Sequence, residues 1–252
     1  MCLIAFAADV GAYWLVLAAN RDEAHARSTL AAHAWKDAPV LGGRDLAAGG
    51  TWLAFGRSGR LAAVTNVRRG VPEAGARSRG LLCSEFAGGS VDAASYAREV
   101  AAAREHYAGF NLLVCDRRSI EYASRDAAGA VTVSPGIHGL SNAALDVPWP
   151  KVRRATETLR GALDGPEHEL VPALFALLAD RRGAPDAELP ATGVPLDLER
   201  RLAPIFIASP GYGTRSSTVV LWRRDGRVTF EERSFDASGA SSGVVREAFD
   251  AI

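Results

Sequence analysis

Two apolar runs, "CLIAFAA" from Cys2 and "YWLVLAAN" from Tyr13, open the sequence with only "DVGA" between them. Asp9 and Gly11 supply turn chemistry, so the pair reads as a β-hairpin. Neither run alternates apolar with polar residues, which means both strands are well buried. Polar groups stand where the second run ends, in "NRDEA" from Asn20.

The later segments repeat this economy of strands and helices in blocks. A Gly-rich loop, "LGGRDLAAGG", leads to "TWLAFG" and "RLAAVTN", a second hairpin turning near Ser58 and Gly59. "RGLLCSEFAGG" and "VDAASYAREVAAAREHYA" have helical spacing, the second with Asp92 near its start. Strands return at "FNLLVCD", "SIEYAS" and "AVTVS", followed by a loop, "PGIHGLSNAAL", and a helix from Trp149 to about Leu163. "ELVPALFALLADR" reads as a further helix, 183–195 as a surface loop, and "STVVLWRRDGRVTFEERSFD" as a closing hairpin turned by Asp225 and Gly226. Strands in runs and helices in runs indicate an α+β fold with antiparallel sheets covered by helices, not alternating βαβ units. No composition shift marks a boundary, so 1–252 is expected to be one domain.

Composition narrows the function classes. Lys and Arg total 29 and Asp and Glu total 29, so no overall field favours nucleic acid or an anionic membrane. No apolar run is long enough for a membrane span, and the start lacks a secretory pattern. Three scattered cysteines, Cys2, Cys83 and Cys115, fit a reducing cytoplasm and offer neither a disulfide framework nor zinc-ligand spacing. No metal site and no required cofactor are therefore expected. The glycines of "LGGRDLAAGG" match no phosphate-binding or dinucleotide fingerprint, and no Ser-His-Asp triad can be assembled.

Four clusters of residues are candidates for chemistry, two of them at strand ends. Cys2 is either a small hydrophobe beginning a strand or, once Met1 is removed, an N-terminal nucleophile. Hairpin geometry returns Asn20, Arg21 and Asp22 beside it, where Asp22 can hold an α-ammonium and Arg21 can lower the thiol pKa; a solvated turn is the other reading. In "VTNVR", Asn66 offers an amide to a developing oxyanion or forms a turn, and Arg68 follows it. Asn142 in "GLSNAAL" has the same two readings, and Arg215 in "GYGTRSSTVV" either contacts substrate or sits in a tight turn. Cys83 and Cys115 have apolar neighbours and read as packing residues.

Taken in order, "MCLI", "NRDE", "LGGRDLAAGGTWLAF", "AAVTNVR", "GLSNA" and "GTRSSTVVL" resemble the NRDE family, that of Transport and Golgi organisation protein 2, from Cys2 to Leu221. That family is similar to the N-terminal nucleophile hydrolases, especially the cysteine branch of bile salt hydrolases and penicillin V acylase. The resemblance implies a four-layer αββα sandwich of antiparallel sheets. It implies Cys2 as nucleophile, with Asp22, Asn66 and Asn142 matching the branch's aspartate and two asparagines. The branch's arginine lies three residues before its aspartate; here Ala19 holds that place and Arg21 adjoins Asp22. With Arg21 tuning the thiol and Asn20, Arg68 and Arg215 contacting substrate, the expected activity is hydrolysis of a small acyl-amide or thioester metabolite. The family's association with haem trafficking and acyl-coenzyme A metabolism implies an alternative: a non-catalytic cytosolic carrier of haem or an acyl thioester, with Cys2 or His138 as a possible haem ligand.

Overall fold

A computed structural model describes residues 2–71 and 75–251. The described chain is α+β, with two antiparallel sheets and five α-helices. The opening hairpin forms as its apolar pattern requires: β1 (Cys2–Val10) pairs with β2 (Tyr13–Ala24) around a turn in which Asp9 and Gly11 both have positive φ. These two strands lie inside the first sheet. Its order is β10 (Gly136–Leu140), β1, β2, β12 (Tyr212–Arg223), β13 (Arg227–Phe235), β14 (Ser241–Asp250), with the short β11 (Ala208–Ser209) also on β12.

The second sheet runs in sequence order. It comprises β3 (Thr29–Ala34), β4 (Val40–Asp45), β5 (Leu53–Gly56), β6 (Arg60–Asn66), β7 (Phe110–Cys115), β8 (Ile120–Ser124) and β9 (Val131–Thr132). Helices α1 (Arg79–Gly88) and α2 (Ala93–Ala102) pack on its outer face, burying Leu82, Phe86 and Ala97 against Ala62, Leu112 and Val114. On the first sheet, α3 (Pro150–Leu163) and α4 (Glu167–Leu178) bury Val152, Leu159 and Leu174 against Leu3, Ala5 and Val16. A third core lies between the sheets, where Phe6, Leu17, Trp222 and Phe230 meet Phe55, Leu61 and Leu113. Period-2 alternation explains why β1 is apolar throughout: Ile4 and Phe6 enter the inter-sheet core while Leu3 and Ala5 face the helices. A fifth helix, α5 (Leu196–Leu202), precedes β11. Among the described residues no helix is long and apolar enough to cross a membrane.

Three segments depart from the sequence reading. Asn20–Glu23 lie inside β2, which continues because β12 supplies a partner for them, rather than after its end. "LGGRD" is strand β4, and its glycines serve close approach: a Cβ on Gly42 would lie 2.5 Å from the Leu53 carbonyl oxygen. "GIHGL" is strand β10 rather than loop, and a Cβ on Gly139 would meet Val152 of α3 at 2.5 Å. The closing hairpin also acquires a third strand, β14, whose outward side chains are exposed.

Candidate functional site

Strand register assembles the site. Cys2 lies opposite Arg21, Arg21 opposite Ser216, Ser216 opposite Ser234 and Ser234 opposite Gly243. Directly opposed residues share a face of the sheet, so these five form one row across β1, β2, β12, β13 and β14. The next row inward is Ile4, Ala19, Thr218, Glu232 and Val245, and the one beyond is Phe6, Leu17, Val220, Phe230 and Glu247. The inter-sheet face thus passes from aromatic and aliphatic packing to polar groups within two rows. A cavity of about 110 Å³ opens at the polar end, walled by Cys2, Arg21, Asp22, Asn66, Trp52 and Arg79.

The opposite face of β2 carries Asn20 and Asp22 toward the helices. Asp22 is buried, and its Oδ1 accepts a hydrogen bond from the Thr214 hydroxyl at 2.7 Å. The Tyr212 hydroxyl donates to the Asp22 carbonyl oxygen at 2.9 Å. Burial raises the Asp22 pKa, opposed by the charge of Lys151, the Thr214 bond and the charge of Arg68. Lys151 is itself buried on the first turn of α3, where its Nζ donates to the Leu202 carbonyl at 3.1 Å. Burial lowers its pKa to about 8, against the pull of Asp22. Because the folded value lies below that of a free lysine, the native state gains stability as pH rises from about 8 toward about 10.5. Urea midpoints should therefore show the unaltered protein gaining on Lys151→Met between about pH 7.5 and 9.5; a constant difference would contradict the shift.

The asparagines and the remaining arginines divide by what holds them. Asn66 reaches the cavity wall from the end of β6. Asn142 is buried, and its Nδ2 donates to the Asn66 carbonyl at 2.8 Å, while the Arg68 amide donates to the Asn142 carbonyl. Asn142 thus clamps the end of β6 and positions Asn66. Asn20 donates to the carbonyls of Leu178 and Ile205 and accepts from Ser217, so its amide anchors α4 rather than lining the cavity. Arg68 forms a buried ion pair with Glu199 and lies over the Trp149 ring. Arg215 occupies a bulge in β12 and donates to the carbonyls of Ala24, His25 and Arg27. Both ring nitrogens of His138 are engaged, by Asp146 and by the Ser134 carbonyl.

Cys2 is held by its own backbone, since the Ser141 hydroxyl donates to the Cys2 carbonyl at 3.0 Å. Met1, whose removal the nucleophile reading requires, lies outside the described residues. The thiol pKa departs from the lowered value expected from Arg21: burial pushes it up, the Asp22 charge adds to that, and Arg21 opposes without prevailing. Its reaction with an alkylating agent should keep accelerating with pH beyond the range of a free thiol. Cys83 and Cys115 are fully buried with raised pKa values, so Cys2 should still label at least about tenfold faster than either. Mass mapping of the labelled sites checks this; equal labelling in the folded protein would contradict it.

Several residues of this site were missed from sequence, though two carried a legible signal. Lys151, Ala155 and Leu159 recur every four residues on the buried stripe of α3, and Glu232 alternates with Val228 and Phe230 on the buried face of β13. A charge in phase with an apolar stripe marks a buried charge. Nothing local announces Glu199 or Trp52.

Comparison with known proteins agrees with the motif pattern. The family model of Transport and Golgi organisation 2 matches residues 1–237. The Transport and Golgi organization protein 2 homolog of Bos taurus is 37% identical over 256 residues, covering 93% of each chain. The Homo sapiens homolog is 34% identical over the same length and coverage, and the Drosophila melanogaster protein is 28% identical with 92% of its own length covered. The chain belongs to the Transport and Golgi organisation 2 family.

Proposed function

We propose that this chain is an N-terminal cysteine nucleophile hydrolase of a small acyl-amide or thioester, built as an αββα sandwich of one domain. The observation that carries the reading is a cavity lined by Cys2 together with Arg21, Asp22 and Asn66. With Met1 removed, the α-amine of Cys2 takes the thiol proton as Sγ attacks the substrate carbonyl carbon. The carbonyl oxygen becomes an oxyanion, for which the Asn66 amide is the candidate donor, and Asn142 keeps that amide in place through the Asn66 backbone. Collapse breaks the bond to the leaving amine or thiol, which receives the proton from the α-ammonium. Water, deprotonated by the same amine, then attacks the thioester and releases the acid and free Cys2.

The raised thiol pKa fits this scheme in one specific way. A desolvated thiol beside a processed α-amine stays protonated until substrate arrives, and the proton moves during attack rather than before it. A second reading is a carrier that holds an acyl thioester or haem in the cleft without turnover, anchored by polar groups such as Arg21 and Asn66. The two separate on a panel of small amides and thioesters assayed with the unaltered protein and Cys2→Ala. Hydrolysis that vanishes with the thiol supports the enzyme, and a silent panel with tight binding of acyl-coenzyme A or haem supports the carrier.

A further inference from the structure

Arg21 presents an imbalance that the hydrolytic scheme does not use. Its side chain is only about 5% exposed, and among the described residues it makes no hydrogen bond and no ion pair. What it has is a stacking contact, the guanidinium carbon lying 4.3 Å from the centre of the Trp52 ring. A buried guanidinium with five donors and no acceptor is unfavourable unless something occupies the space before it.

The acidic neighbours are all engaged elsewhere. Asp45 pairs with Arg27 at 2.7 Å, and Glu23 lies 3.9 Å from the same arginine while accepting from the Ala24 amide. Glu232 accepts from the Ala32 amide at 2.6 Å and from the Thr218 hydroxyl at 3.1 Å. The Cys2 thiol, with its raised pKa, is not a standing thiolate.

Space is available on the side of Arg21 away from Cys2. A second cavity of about 260 Å³ shares the Arg21 and Trp52 wall with the first and continues along the same row of the sheet. It exists because that row is filled there by Ser216, Ser234 and Gly243, while Thr29 faces it from β3; Arg215 and Glu232 also line it, the Glu232 oxygens being taken by the Ala32 amide and the Thr218 hydroxyl. Hydroxyl groups beside an unpaired guanidinium are the donor set for an oxyanion, for which the fork of Arg matches carboxylate and phosphate oxygens in pairs.

We propose that this second cavity is an oxyanion receptor, in which Arg21, flattened on Trp52, binds a carboxylate or phosphate group of a small ligand. Its polar row places the anion one strand from Cys2. A single small molecule can therefore anchor its charge here and present a neutral part to the first cavity. The receptor stands independently of any chemistry at Cys2.

Calorimetric titration with inorganic phosphate and with acetate at fixed ionic strength, chloride serving as control, tests this. At least one oxyanion should bind saturably and chloride should not; the stronger of the two identifies phosphate or carboxylate as the natural group. Affinity should fall at least about tenfold in Arg21→Met and in Ser234→Leu, which fills the cavity while keeping the guanidinium, and should persist in Cys2→Ala. If Arg21→Met does not fold, Ser234→Leu and Arg21→Lys carry the comparison. No saturable binding of either oxyanion, or binding undiminished in the folded Arg21 and Ser234 variants, overturns the receptor. A failure to find hydrolysis leaves it standing, because the titration involves no turnover.

Discussion

Cys2→Ala is expected to reduce hydrolysis of whichever acyl compound the protein cleaves by at least about a thousandfold, since Cys2 carries the one thiol on the cavity wall among the described residues and the proposed acyl intermediate forms on it. The fold should survive the change. Cys2 begins β1 at the partly exposed end of its row, and the bond that fixes it there is made by its carbonyl oxygen, which alanine retains. Rates in single-turnover conditions, with circular dichroism and thermal unfolding of the variant, check both halves. Residual hydrolysis within about tenfold of the unaltered protein would remove Cys2 from the chemistry.

The largest stability effect is expected at the pair beneath the site. The side chains of Arg68 and Glu199 are 2% and 3% exposed, and Glu199 also accepts from the Thr192 hydroxyl. Glu199→Ala leaves the guanidinium buried without its carboxylate, a change that typically costs about 3–5 kcal/mol. For a chain of this size that corresponds to a fall of roughly 10 °C in Tm. Replacing both partners by apolar residues, as in Arg68→Met with Glu199→Leu, should recover most of the loss, because it removes the buried charges together. Differential scanning calorimetry of the single and double variants decides this. A single variant as stable as the parent would mean that the pair is relaxed or hydrated in solution.

The two parts of this molecule were legible to different degrees. The hairpins and the helices at 79–88, 93–102 and 150–163 follow from local pattern, since each apolar stripe or turn pair needs only its neighbours to be recognised. Strands β4 and β10 were hidden because their glycines suit a turn equally well; their real constraint is the approach of Leu53 and of α3, both distant in sequence. Cys2, Arg21, Asp22 and Asn66, which line one cavity, could be singled out in the sequence because they stand at the polar ends of apolar strands. The direction of the thiol's pKa was not legible, because burial from all sides is set by both sheets at once. The commitments of Asn20 and Asn142 were invisible for a similar reason. Their hydrogen-bond partners lie at Leu178, Ile205 and Asn66, a placement that no local spacing specifies.

The central pairing of β2 with β12 joins residues about two hundred positions apart in the chain, for example Arg21 with Ser216. During synthesis the opening hairpin therefore emerges long before the strand that covers its flank, and β10, which covers β1, also comes late. Loop closure over such a span is slow, and the nascent hairpin carries apolar residues on both faces in the meantime. The cysteine of β1 is thus made well before β10 and β12, the strands that complete its sheet. A chain shortened before β12 would retain every strand of the second sheet, yet the row that joins Cys2 and Arg21 to Ser216 and Ser234 could not form. Such a fragment would expose the hairpin to chaperones or to aggregation instead of presenting a weakened site.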